Sequence, residues 1–500
     1  MISVPTAPPS GSHPERLFER LEIDGVPAFA GQGSRYMGAL LFRAGRGDET
    51  LHIGGVTHLV EHLALFGLGP ERDYEFNGYV SGLVTGFFAT GTPEEVTEFL
   101  AEVCRTIQDL PLGRLAAESR VLRAEAASRS SGAYDELIWL RYGATGQGQR
   151  YLPELMLLAP DPAVVRSWVA DRFTAGNAAL WFSGPPPTGL RLKLPPGTRT
   201  PPPPLSPVAD ASYPAWVVGR SGGVGISFVR PREDWLNVPM EIAAHRLRVL
   251  LRFERGLTYD VGVAYEPVTS HLAHAALWAG CLAEHAAVVR DGIIEVLEEI
   301  GAHGATDEDL ARARSRFRRR MEDPEGRGQE PAVAATNELL GYPYKSMEDL
   351  HQELEELDGP AIARRMAAAL ETALVLFPHG CPPPKGRFRP YPLWSQEQVR
   401  GRAFRQTRAP FPWSKGPRLI VGAEGVSMIS TDGRAITVPF ASCAAAVAHP
   451  DGILDVYGED GFSVSVEPRM WRGGSEAVRL LLDAIPAGRL VRIAAPPGPP

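Results

Sequence analysis

The chain has 500 residues, 44% hydrophobic and 22% charged, the balance of a folded protein too long for one compact core, so two to four domains are expected. A net charge of −8 argues against a nucleic-acid binder, whose affinity would rest on phosphate neutralisation; only 4 of the 51 basic residues are lysine, so arginine clusters partly reflect composition. No apolar run reaches the length of a membrane span, and Met1 to Glu15 shows no basic region followed by an apolar one, so no secretory signal is expected.

In chain order, residues 1–15 read as an N-terminal extension and 16–195 as a first domain. That domain holds short strands such as Ala39–Phe42 and an amphipathic helix over Pro93–Leu110. A strand ending at Phe182 runs into a proline-rich stretch, Gly184 to Pro207, which cannot supply helix or ladder donors; 196–210 is the expected linker. A second domain over 211–392 repeats the texture, with a strand at Val224–Val229, a helix at Ala286–His303 and a strand ending at Phe377 before Gly-Cys-Pro-Pro-Pro. Aligning Pro185 with Pro382 gives an offset of 197 (382 − 185), which suggests an internal duplication. Residues 393–416 read as a second linker. From 417 the chain alternates, with Asp-Gly turns at Asp432, Asp451 and Asp460, and ends in a helix over Ser475–Ile485, a small β-rich domain. The fold class is α+β, antiparallel sheets with helices on one face. Cys104, Cys281, Cys381 and Cys443 form no CxxC pair and read as buried small hydrophobes in a reducing compartment, which points to the cytoplasm.

The residues that carry chemistry are His58-Leu59-Val60-Glu61-His62. On a helix, positions i, i+3 and i+4 share a face, so both imidazoles and the carboxylate point together. Two neutral imidazoles suit Zn²⁺, a third protein ligand leaves one position open, and an adjacent Glu61 can act as general base. The order H-x-x-E-H is the inverzincin signature. Glu118 and Glu125, two turns apart on a helix-patterned stretch, can both face one site. The arginine run from Arg312 to Arg320 is followed at once by Glu322, Asp323 and Glu325 and reads as a solvated helix face. His52, His271 and His274 have no ligand-like companions and read as structural.

The H-x-x-E-H motif with a downstream Glu-x6-Glu pair resembles the M16 metallopeptidases, the family of pitrilysin, insulin-degrading enzyme and the mitochondrial processing peptidase. The resemblance implies that Glu125 completes the zinc site with His58 and His62 and that Glu118 supports catalysis. The separation of His62 from Glu125, 63 residues (125 − 62), is shorter than is usual in the family, and the segment SGLVTGFFATG lacks the family's Asn-Ala-x-Thr pattern on its substrate-binding strand. A second family signature, R-x-x-x-G-L-x-Y, occurs as Arg252 to Tyr259, which by resemblance would contact the substrate backbone and the developing oxyanion. The offset of 197 places Tyr259 opposite His62.

The expectation is a zinc-dependent endopeptidase acting on extended peptides. Two homologous domains are half of the family's four-domain chamber, so the resemblance implies a homodimer or a heterodimer with a related chain, without nucleic acid or a membrane span. The tail resembles a PH-like module. Rival expectations are a catalytically silent subunit or scaffold of the same fold, and a specialised protease that trims a leader from a small peptide.

Overall fold

The computed structural model describes residues 18–494, apart from positions 34, 70–71, 129–131, 206–207, 209–210, 233–236 and 408–415. The N-terminal extension over 1–15 lies outside the described residues.

The first half is one six-stranded sheet with five helices. Its strands are β1 (Glu19–Ile23), β2 (Val26–Ala30), β3 (Met37–Phe42), β4 (Glu75–Val80), β5 (Thr85–Thr90) and β6 (Ala178–Phe182), in the order β1-β2-β6-β3-β5-β4. Its helices are α1 (Val56–Phe66), α2 (Pro93–Gln108), α3 (Leu115–Ser128), α4 (Ala133–Tyr142) and α5 (Pro162–Arg172). Thr92 starts α2 with a full capping box to Glu95 and Pro93 in the first turn, so this helix is specified locally. Leu40, Phe42, Phe87 and Leu180 of the sheet bury against Leu59, Leu63, Phe99 and Val103 of α1 and α2. That apolar stripe fixes which face of α1 is left for chemistry.

The second half repeats this plan. Strands β7 (Ala215–Gly219), β8 (Gly223–Pro231), β9 (Val261–Pro267), β10 (Leu272–Gly280), β11 (Leu374–Pro378) and β12 (Arg389–Pro390) are ordered β12-β7-β11-β8-β10-β9. Seven helices accompany them: α6 (Asn237–Leu247), α7 (Ala286–His303), α8 (Asp307–Glu322), α9 (Pro324–Gly328), α10 (Glu330–Leu340), α11 (Met347–Glu356) and α12 (Gly359–Leu370). In both sheets one parallel pair sits at equivalent places, β2 with β6 and β7 with β11, and the next pair inward is antiparallel, β3 with β6 and β8 with β11. Shared topology of this kind is what a duplication produces. The spacing is uneven, however: α4 to α10 is 197 residues (330 − 133), but α1 to α6 is 181 (237 − 56). The equivalence of Tyr259 with His62 is therefore corrected. With helix starts aligned, His62 falls opposite Ala243, in a buried apolar helix, whereas Tyr259 precedes β9.

The halves exchange helices. α4, from the first half, lays Leu137 and Leu140 on Val217, Leu374 and Leu376 of the second sheet. Arg141 of α4 is buried and donates to Ser227 Oγ (2.8 Å), Ser227 O (2.6 Å) and Thr372 O (2.5 Å). Reciprocally, α10 packs Ala334, Ala335, Leu339 and Leu340 on Phe29, Leu41 and Trp181 of the first sheet. Each sheet thus has its own helices on one face and a helix from the other half on the opposite face.

The third unit contains β13 (Gly401–Arg405), β14 (Arg418–Gly422), β15 (Gly425–Ile429), β16 (Ala435–Pro439), β17 (Cys443–Ala448), β18 (Leu454–Gly458), β19 (Ser463–Val466), α13 (Gly474–Ala484) and β20 (Leu490–Arg492). It forms two four-stranded sheets, β13-β14-β15-β16 and β19-β18-β17-β20, around Phe404, Leu419, Val456, Trp471 and Leu481. Gly433, Gly452 and Gly461 take positive φ in the Asp-Gly turns. The expected linker over 393–416 needs correction. β13 lies inside it and pairs along its length with β14, and Ser395 N donates to Ala435 O (2.8 Å), so this unit begins before 417.

Candidate metal centre

Helix α1 is buried on nearly every side, His58, Glu61 and Thr57 included. Gly55, with φ +93°, turns the chain into it. The Glu49 carboxylate accepts from Gly55 N (2.7 Å) and Thr57 N (2.8 Å), satisfying two main-chain donors at the start of the helix. Burial pushes the Glu49 carboxyl up to about 7, against the lowering effect of those hydrogen bonds and of Arg46.

The structure brings five of the expected residues together. Glu125 Oε2 is 3.8 Å from His58 Nε2 and 3.7 Å from His62 Nε2. Glu61 Oε2 is also 3.7 Å from His62 Nε2. Glu118 and Glu125 both lie on α3, two turns apart, and Glu118 Oε2 is 3.6 Å from His62 Nδ1. The two imidazoles stand edge to face, 5.2 Å between centroids. One ligand atom each of His58, Glu61 and His62 lies within 4.8 Å of the others.

Ligand–ligand edges of roughly 3.4 Å follow from zinc bonds of ~2.0–2.1 Å in a tetrahedron. The Glu125 separations of 3.7 and 3.8 Å are close to that value, so a small inward shift would let these donors hold zinc. Each imidazole also has a carboxylate on its other nitrogen, the arrangement that fixes metal-binding histidines. Burial, and then the proximity of His58, lower the His62 pKa and favour a neutral ring. Burial raises Glu61 to about 7; His58 opposes this and Glu125 adds to it. A carboxylate poised near neutral pH is suited to accept and return a proton.

The site opens into a cleft of about 1070 Å³, walled by α1, β4 and the segment from Gln149 to Glu154. The sheet-edge strand beside it is β4, with Asn77-Gly78-Tyr79-Val80; the SGLVTGFFATG segment that follows contains β5, one strand further in. β4 carries glycine at position 78, next to the site. The glycine has a reason, since a Cβ at position 78 would collide with the Glu61 carboxyl.

Arg252 and Tyr259 do not line this cleft. They lie together on the second half, the guanidinium 4.9 Å from the Tyr259 ring centroid, and Tyr259 is 84% exposed. Arg252 sits in a π-helical turn, Arg248–Glu254, that continues α6. Among the residues set aside, His274 is wholly buried between Tyr134 and Tyr142, and Arg312, Arg316 and Arg314 of α8 pair with Glu308, Glu241 and Glu355 respectively. All four cysteines are free, two buried and two half-buried.

Sequence reasoning missed Glu154. Its Oε1 is 3.3 Å from His58 Nδ1 and 3.4 Å from Arg46 Nη2, across a separation of 96 residues from the histidine. No local motif could have found it; tertiary folding alone brings it in.

This is the fold of M16 peptidase domains. A protease from Helicobacter pylori superposes with a TM-score of 0.60 at 14% identity, covering 73% of this chain and 100% of that one. An inactive M16 peptidase domain from Pseudomonas fluorescens gives 0.57 at 15% identity, again covering 73% of this chain and 100% of the other. The periplasmic protease PqqL from Escherichia coli gives 0.59 at 12% identity; the match covers 87% of this chain and 56% of PqqL. No family profile and no curated protein matches the sequence. Among the described residues, no helix is long and apolar enough to cross a membrane.

Proposed function

We propose that the chain is a zinc metallopeptidase of the M16 type that cleaves extended peptides. The observation that carries this reading is the convergence of His58 Nε2 and His62 Nε2 on Glu125 Oε2 at 3.7–3.8 Å, with Glu61 beside them at the wall of an open cleft. In this reading His58, His62 and Glu125 hold zinc, which when bound supplies a Lewis acid to water and the scissile carbonyl. Glu61 accepts the proton of the attacking water and returns it to the leaving amine. Glu118 holds His62. The exposed edge of β4 offers backbone groups to an extended peptide.

Arg252 and Tyr259 are assigned to substrate binding in the site of a second copy, or of a related chain. Their exposure, away from the cleft of their own chain, supports a dimer. For the third unit, seven consecutive strands and a following helix support the PH-like reading. A reducing, cytoplasmic location remains part of the proposal, supported by four unpaired cysteines. The second reading is a silent M16-fold subunit, favoured by the likeness to an inactive domain.

Metal analysis together with Glu61→Gln separates the two readings. About one zinc per chain is expected in the wild type and in Glu61→Gln, and none in His62→Ala. Cleavage of an unstructured peptide should fall at least about a hundredfold in Glu61→Gln. Equal turnover in that variant would remove Glu61 from the chemistry; zinc without any cleavage would favour the silent subunit.

A further inference from the structure

The third unit is seated directly behind the metal centre. Its strand β17 places Ala444, Ala445 and Val447, with Val491 of β20, against Leu51, Ala144 and Leu155 of the first half, all of them buried. Backbone contacts make the fit specific. Ala144 N donates to Glu459 O (2.9 Å), a Cβ on Gly143 would collide with that same carbonyl, and a Cβ on Gly461 would come within 2.7 Å of Trp139 Nε1.

Two of the three segments in this interface, those of Leu51 and Leu155, build the site. Leu51 leads through Gly54 and Gly55 into α1, and Leu155 follows Glu154 directly. They are tied to each other as well, since Met156 N donates to Gly54 O (3.0 Å) and Gln149 Nε2 to Glu49 O (2.6 Å). Gly55 has no side chain where the Glu154 stem passes, 2.7 Å from where its Cβ would stand. Glu154 ends between Arg46 and His58 Nδ1, its side chain 13% exposed.

We propose that Glu154 is a positioning residue for His58 and that the C-terminal β unit is the brace that keeps it there. A carboxylate on Nδ1 holds the ring in the tautomer whose Nε2 lone pair faces Glu125, and the ring turns away from that orientation when the carboxylate moves. The brace acts through packing and main-chain hydrogen bonds, so the tail is part of the site although it supplies no group to it. That His58 is a metal ligand rests on the metallopeptidase reading; the contact of Glu154 with His58 does not.

The test uses the full chain with Glu154→Ala, Glu154→Gln, Gly461→Ala and the double variant Glu154→Ala/Gly461→Ala. Val491→Ala, which only trims the interface, replaces Gly461→Ala if that protein does not fold. Three quantities are read: zinc affinity by chelator competition, the visible spectrum of the cobalt-substituted protein, and the ¹⁵N shifts of His58 without metal. Glu154→Ala is expected to weaken zinc binding roughly ten- to a hundredfold, alter the cobalt spectrum and lose the single Nδ1–H tautomer, with Glu154→Gln between it and the wild type. Gly461→Ala should weaken zinc binding in the wild type and add nothing once Glu154 is gone. Unchanged affinity and an unchanged His58 tautomer in Glu154→Ala overturn the positioning role. An equal loss from Gly461→Ala with and without Glu154 overturns the brace. A wild type that takes up no zinc ends the metallopeptidase reading instead, and the His58 tautomer across the same four proteins then decides both parts of this proposal.

Discussion

Glu61 is buried beside another carboxylate, Glu125, and its pKa rises from an ordinary 4.5 to about 7, first because burial penalises the anion. In the metal-free protein a carboxyl shifted this way is protonated in the folded chain while already ionised in the unfolded one. Folding takes up that proton between pH 4.5 and about 7, so stability falls as pH rises through this window. Glutamine at position 61 cannot titrate. Metal-free Glu61→Gln should therefore gain on the wild type as pH rises, by up to ~3 kcal/mol at pH 7 and above, and little at pH 4.5 or below. Glu49 shifts in the same direction but is common to both proteins and cancels in the difference. Denaturant unfolding of the pair at pH 4.5 and pH 8 checks this; a pH-independent difference would mean that Glu61 is ionised in the folded protein. What was legible at this scale was the set of types and spacings: His58, Glu61, His62, Glu118 and Glu125 obey helix periodicity, so their shared faces could be worked out from the sequence. Glu154 obeys no such local rule.

At the scale of elements, the close approach of α1 to the edge strand β4 depends on Gly78. A methyl group there would press on the Glu61 carboxyl, and the strand is locked to β5 along its whole length, so the side chain must give way. Gly78→Ala is expected to keep zinc and lower kcat by about tenfold or more, as a misplaced general base would. A variant with wild-type kcat would show that Glu61 has room to move. The two long amphipathic helices were readable within two residues from their apolar periodicity: Pro93–Leu110 became Pro93–Gln108, and Ala286–His303 kept its bounds, although only the first has a capped start. The edge strand was not, because EFNGYV carries glycine and asparagine where strand propensity asks for branched or aromatic residues, and only its pairing with β5 makes it a strand. β13 was missed for a related reason. It lies beyond a run of prolines and is stabilised by β14, whose sequence begins thirteen residues later (418 − 405).

At the scale of the whole molecule, the repeat was visible in the apolar strands before proline runs, but the single offset of 197 read from them does not hold along the chain, since α1 and α6 are separated by 181 residues (237 − 56) and α4 and α10 by 197 (330 − 133). The predicted dimer can be tested by mixing. If each site joins α1 of one copy to Arg252 and Tyr259 of another, then Glu61→Gln and Arg252→Ala chains, each inactive alone, should regain about a quarter of wild-type activity when combined, since half the dimers are mixed and each has one complete site. Recovery of nothing would place the two signatures in separate roles. The traded helices α4 and α10 bear on how such a chain could have arisen. One half made alone would leave the outer face of its sheet bare, an apolar surface that only a second copy's helix could cover. The particle is in this sense already a swapped pair, and the proline-rich connector is stitched onto it: Arg199 donates to Glu338 O (2.7 Å), and Pro201 O accepts from Arg43 (3.1 Å). A trade of this kind leaves each half free to differ at its own site: the first carries His58 and His62 on α1, whereas the matching positions of α6 are Pro239 and Ala243.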